Sequence, residues 1–227
     1  MIPLKDDNPT SSRPIVTYFL IGLCVVVFLI QLGSQSYRTG QLFYSYGLIP
    51  SVLMGHDQLP MDLYAIPAYM TIFSSMFMHG GWMHLIGNMW YMKIFADNIE
   101  DNLGARNFII FYILCGIGAA MAQVLMDTAS QVPMVGASGA IGGVLGAYLI
   151  NHPNARVLVL IPYIIITIIK IRALYVLGFW FILQFISSGG GVAYAAHIGG
   201  FVSGMILILF FNKKRKRRIK IIKGPWH

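Results

Sequence analysis

The sequence predicts an all-α membrane protein with six transmembrane helices and a long external loop between the first and second. Three observations carry that prediction. Apolar residues make up 57% of the chain and charged residues only 11%, where a soluble domain carries about 25% charged. The charges gather at the two ends and in short breaks between long apolar runs, the pattern expected when lipid is the solvent. The 24 glycines fall largely inside those runs. A glycine costs about 1 kcal/mol within a soluble helix, whereas between membrane helices it permits close backbone approach. Cys24 and Cys115 also sit in apolar runs and read as packing residues.

Taken in order, residues 1–13 read as a cytoplasmic N-terminal segment, 14–211 as the membrane domain and 212–227 as a basic cytoplasmic tail. The first helix is placed at 14–33. Its run from Ile15 to Leu32 is free of charge, and roughly 18 residues at about 1.5 Å each span about 27 Å. A secretory h-region is only about 7–15 residues long, so the run reads as a retained span. The segment 34–79, with Pro50, Pro60, Pro67 and several aromatics, is too long to be structureless and is expected to fold against the membrane surface. The remaining helices are placed at 81–96, 106–126, 137–151, 172–187 and 192–211. The second and fourth fall short of the ~20 residues of a full span, which predicts that they start below the membrane surface. Val157–Ile169, bracketed by Arg156 and Lys170, contains Pro162 and is rich in β-branched residues. It reads as an interfacial loop rather than a seventh span.

The basic residues support an even number of spans. With the N-terminus inside, Lys5, Arg13, Lys93, Arg106, Arg156, Lys170, Arg172 and the tail from Lys213 to Arg218 fall on the cytoplasmic side, and only Arg38 falls outside. The tail reads as a topology anchor near anionic lipid rather than a nucleic-acid site.

Polar residues within spans are costly and usually face the bundle interior. Under this topology His84 and Asn88 lie near the outer start of the second helix, Ser138 near the start of the fourth and His197 near the start of the sixth. All three helices begin outside, so the four side chains converge roughly 5–10 Å below the outer surface. Ser138, in Gly136-Ala137-Ser138-Gly139, fits either an N-cap or a nucleophile on a tight turn whose glycines leave room for a substrate carbonyl. A lone buried histidine is usually structural, but beside Ser138 at matched depth His197 becomes a candidate general base. His84 and Asn88, spaced i, i+4, are either an interhelical hydrogen-bonding pair or donors for an oxyanion. A zinc site at His79, His84 and His197 is disfavoured because no HExxH motif and no nearby intramembrane carboxylate accompanies them. An aspartyl protease is disfavoured because Asp97, Asp101 and Asp127 lie outside the spans.

These residues lie in a pattern that resembles the rhomboid family of intramembrane serine proteases. The matching elements are His79-Gly-Gly-Trp-Met-His84-Leu-Ile-Gly-Asn88, Glu100-Asp-Asn-Leu-Gly104, the Gly-Ala-Ser138-Gly turn and the helix carrying His197, Gly200 and Gly204. They run in the family's order from about residue 70 to 211. The resemblance implies a six-helix rhomboid-like bundle with a water-filled cavity open to the outside. It also implies a Ser138–His197 dyad without a third acid, and an oxyanion hole from His84, Asn88 and the Ser138 backbone N–H. His79 would be structural or water-retaining. Family members often carry an aromatic one turn after the serine, stacked on the histidine. Here that position is Gly142, so something else must orient His197.

The expected function is that of a serine endopeptidase of the cell membrane, multi-pass with both termini cytoplasmic. It would cleave transmembrane-helix substrates near their outer ends, with no cofactor and no metal. A catalytically inactive rhomboid-like protein that binds membrane clients is the competing reading, and a small channel or transporter finds too few polar residues in Gln184 and Asn151. Partners are expected to be transmembrane proteins and membrane lipid, not nucleic acid. The loop Ser187-Ser188-Gly189-Gly190-Gly191 is expected to act as a lid with the outer end of the fifth helix, roughly Gln184–Ser187, as lateral gate.

Overall fold

The computed structural model describes residues 1–34, 40–162, 166–186 and 193–211. The predicted lid at 187–191 and the basic tail from residue 212 lie outside the described residues. Strand β1 (Ile2–Asp6) leads to α1 (Ile15–Gly33), and the loop that follows holds short helices α2 (Gln41–Tyr46), α3 (Pro50–Leu53) and α4 (Thr71–Ser74). The bundle continues with α5 (Trp82–Leu103), α6 (Ala105–Met126) and α7 (Ser138–Asn151). Strands β2 (Arg156–Pro162) and β3 (Ile166–Arg172) precede α8 (Ala173–Ile186) and α9 (Tyr194–Phe211). Helices α1, α6 and α9 are each long and apolar enough to cross a membrane. At 14 residues apiece, α7 and α8 reach about 21 Å, less than a hydrocarbon core of about 30 Å. Helix α7 is the centre of the bundle, buried from Gly139 through Tyr148.

The all-α expectation needs correction. The stretch read as an interfacial loop is an antiparallel hairpin, registered from Arg156↔Arg172 to Pro162↔Ile166, and β1 adds a third strand with Ile2 opposite Leu160. The β-branched content that argued against a span favours a pleated strand, and the inward Val157 and Val159 are fully buried. The N-terminal segment is therefore a working part of the fold. The Trp90 indole donates to the Pro3 carbonyl, and the Asn98 amide and Tyr148 hydroxyl donate to the Asp6 carboxylate at 2.9 and 2.6 Å.

The second predicted helix also runs further than residue 96, to Leu103. Asn98 and Glu100 in its last turns are buried, and the N-terminal segment takes up their hydrogen bonds. The Glu100 carboxylate accepts from the backbone N–H groups of Val16 (2.9 Å) and Thr17 (2.7 Å), satisfying first-turn donors of α1 that have no partner within their own helix. Asp101 accepts from the backbone N–H groups of Ser11 and Ser12, ahead of α1, at 3.1 and 2.9 Å. Gly104, at φ 78°, takes the left-handed turn between α5 and α6 that other residues adopt only with strain.

Helices α7 and α9 meet along a glycine seam. A Cβ on Gly200 would stand 1.9 Å from the Gly139 carbonyl oxygen, and one on Gly204 1.9 Å from that of Gly143. Neither obstacle is a side chain that can swing away, so Gly204→Ala must push the helices apart. Gly178 of α8 has open space around its would-be Cβ. Thermal unfolding in detergent checks the contrast: Gly204→Ala is expected to lose about 1–3 kcal/mol or fail to fold, while Gly178→Ala is neutral or gains up to about 1 kcal/mol. Equal melting temperatures for the two variants would contradict the seam.

Candidate active site

Each predicted site residue sits in the first turns of a helix. Ser138 opens α7, after a turn in which Gly136 takes φ 130° and donates its N–H to the Ser75 carbonyl at 2.9 Å. His197 lies one turn into α9, where the Ala196 N–H donates to Gln123 Oε1 at 3.2 Å. His84 and Asn88 lie on successive turns of α5. All four line a single cavity of about 870 Å³, together with Gly80, Gly136, Gly139 and Trp180. The convergence expected from helix direction is thus present in the fold.

Within the cavity His197 Nε2 lies 2.8 Å from Ser138 Oγ. The Gly80 N–H donates to His84 Nδ1 at 3.3 Å, so in the neutral ring the proton is on Nε2. That atom faces the Ser138 turn: a Cβ on Gly136 would stand 2.7 Å from it. Asn88 donates one amide hydrogen to the His84 carbonyl at 2.9 Å and keeps a second. The Ser138 N–H, in the first turn of α7, has no acceptor within its own helix. His79 is fully buried, edge-on to His84 with ring centroids 5.2 Å apart. Its backbone is gripped from α1 by Gln31, which accepts from the His79 N–H at 3.1 Å and donates to its carbonyl at 3.2 Å.

Two residues around His197 were not assigned from sequence. Gln184 of α8 places Oε1 2.7 Å from His197 Nδ1. The Trp180 ring lies beside the imidazole at 5.8 Å with 35° between planes. In the sequence Gln184 stands out only as part of a polar pathway and as one end of a gate. The signal available was its standing as the sole strongly polar residue of Ala173–Ile186. Trp180 also answers the question raised by Gly142. A Cβ on Gly142 would meet the His197 carbonyl oxygen at 3.0 Å, the Phe201 nitrogen at 3.4 Å and the Trp180 ring at 3.7 Å. The tight obstacles to a side chain at Gly142 are thus the α9 backbone, and the aromatic beside the histidine comes from α8 instead.

Comparison with known proteins agrees with this architecture. A family model of the rhomboid domain matches residues 67–214, which is more than half of the chain, and the protein therefore belongs to the rhomboid family. With its apolar helices, that makes it a multi-pass membrane protein. It is 32% identical over 138 residues to "RHOMBOID-like protein 5" of Arabidopsis thaliana, covering 60% of this chain and 42% of that one. It is 28% identical over 197 residues to "Rhomboid protease GluP" of Bacillus subtilis (strain 168), covering 86% and 34% respectively. It is 30% identical over 143 residues to "Putative rhomboid protease YdcA" of the same organism, covering 62% and 66%. The chain thus spans less than half the length of the first two relatives.

The packing at Gly142 makes its own prediction. Gly142→Tyr, which supplies the aromatic that family members often carry, is expected to lower stability by about 1–3 kcal/mol through overpacking. Thermal unfolding checks it, and an unchanged or raised melting temperature would show that the α9 backbone leaves room after all.

Proposed function

We propose that this protein is an intramembrane serine endopeptidase that cleaves transmembrane-helix substrates near the outer membrane face. The observation that carries the reading is the 2.8 Å approach of His197 Nε2 to Ser138 Oγ inside a cavity shared with His84 and Asn88. Membership in a family with protease-named members supports it. In this reading residues 14–211 form six spans with an external loop between the first two. Segments 1–13 and 212–227 face the cytoplasm, and the protein resides in the cell membrane.

The chemistry follows from the positions. His197 takes the hydroxyl proton of Ser138 as Oγ bonds to the scissile carbonyl carbon. The carbonyl oxygen becomes an oxyanion, stabilised by the His84 Nε2–H, the free amide hydrogen of Asn88 and the Ser138 N–H. Collapse breaks the C–N bond, and His197 returns the proton to the leaving amine. Water activated by the same imidazole then hydrolyses the acyl-enzyme and restores Ser138. Dyads without a carboxylate still work, because positioning and the oxyanion hole supply much of the rate.

Cleavage of a transmembrane reporter in vesicles tests the assignment. Ser138→Ala and His197→Ala are each expected to abolish turnover in folded protein, and the double variant to lose little more than either, because groups acting as a unit are non-additive. Strictly multiplicative losses would sink the dyad. His84→Ala and Asn88→Ala are expected to lower kcat by roughly 10–1000-fold each, with modest change in KM. Full turnover with an early melt in both would assign this pair to structure instead.

A further inference from the structure

We propose that Gln184 is the third member of the catalytic group, a neutral positioning residue that fixes the tautomer of His197 and aims Nε2 at Ser138. The inference rests on the functional reading above and goes beyond a two-residue dyad.

The hydrogen bonds around Gln184 leave one consistent polarity. Gln184 Nε2 lies 2.7 Å from the Trp180 carbonyl oxygen. A carbonyl only accepts, so the amide NH2 group must be the end facing it. The other end of the same amide, Oε1, then faces His197 Nδ1 at 2.7 Å. Amide oxygen is an acceptor, so Nδ1 must carry the hydrogen. In a neutral imidazole that leaves Nε2 with a lone pair, and Nε2 is the atom 2.8 Å from Ser138 Oγ. The direction of donation therefore runs from Ser138 Oγ–H to His197 Nε2, and from His197 Nδ1–H to Gln184 Oε1. The opposite tautomer would set Nε2–H against the serine, and the histidine could not act as base.

Gln184 is suited to the task by its surroundings. It is 9% exposed, although Phe185 and Ile186 beside it are 64% and 70% exposed. Its amide is clamped at one end by the helix backbone and at the other by the ring, which limits rotation. Trp180, one turn earlier on α8, stacks on Phe201 of α9 with ring planes 27° apart and centroids 6.0 Å apart. Imidazole orientation is therefore set by two residues of a single helix, i and i+4 on one face. An amide oxygen also stabilises the imidazolium that forms as Ser138 is deprotonated, through a hydrogen bond to a charged donor. A carboxylate in the same place would do so more strongly, but carries a charge that is costly within a membrane domain.

The test uses the full-length protein in vesicles. Solid-state 15N spectra of histidine-labelled protein, with the His197 signals assigned by their loss in His197→Ala, are expected to show Nδ1 protonated and Nε2 bare. A protonated Nε2 in the neutral state overturns the proposal without recourse to any Gln184 variant. Gln184→Leu is expected to lower kcat about tenfold, the worth of one hydrogen bond to a group that becomes charged, with KM little changed. Gln184→Glu is expected to retain activity and to move the acid limb of the rate–pH profile to higher pH, since a carboxylate at Nδ1 favours the protonated ring. A merely structural role predicts that Gln184→Leu melts earlier while its acid limb and the His197 tautomer stay as in the wild type. Wild-type kcat and an unmoved limb, with Ser138→Ala inactive, would discard Gln184 and leave the dyad standing. Activity persisting in Ser138→Ala would discard the protease reading itself.

Discussion

The backbones of α7 and α9 touch, and the geometry of the cavity depends on that contact. Lipid tails are as apolar as leucine, so membrane helices gain little from burying apolar surface against each other. They associate through close packing and backbone-level contacts. Here the carbonyls of Gly139 and Gly143 fill the space that side chains on Gly200 and Gly204 would occupy. Ser138 immediately precedes the first of these glycines, and His197 lies one turn before Gly200. The seam that holds the bundle together is therefore also what sets the 2.8 Å between the hydroxyl and the imidazole. Glycine at these positions is a requirement of the site as much as of the fold.

A second constraint is that polar groups within a membrane domain must find partners there. Three glutamines meet it in the same manner, each reaching from a neighbouring helix to a segment that bears a histidine. Gln31 of α1 holds the backbone on both sides of His79, Gln123 of α6 accepts from the residue before His197, and Gln184 of α8 meets the His197 ring. At the opposite end Glu100 and Asp101 are consumed by the N-terminal segment. These five side chains act as ties between segments, whereas Asn88 bonds within its own helix and keeps one amide hydrogen.

What was legible in the sequence follows from these physics. Ser138, His197, His84 and Asn88 could be brought together on paper because depth in a membrane follows from helix direction alone. Helix ends in apolar runs fell within two residues of the observed ones, as at Ile15–Gly33 and Ala105–Met126. The end of α5 did not, because Asn98 and Glu100 in its last turns are held by a segment more than eighty residues away in sequence. Val157–Ile169 reads as an interfacial loop because its length, Pro162 and β-branched content argue against a span, and a short apolar run carries no period that identifies a buried strand. Its partner, β1, lies at the far end of the chain. Gly142 announced a missing aromatic, yet nothing in the sequence shows that Trp180 enters from α8 to take its place. Gln184 and His197 are thirteen residues apart on different helices, and a contact of that kind has no local signature.

In the proposed mechanism His197 makes Ser138 a nucleophile inside a membrane domain. The most direct measurement is covalent labelling of the purified protein by a fluorophosphonate, with the modified residue located by peptide mass spectrometry. A single adduct is expected on Ser138, formed faster as His197 loses its proton, and absent from both Ser138→Ala and His197→Ala. Labelling that persists in Ser138→Ala, or that proceeds at full rate in His197→Ala, would contradict it.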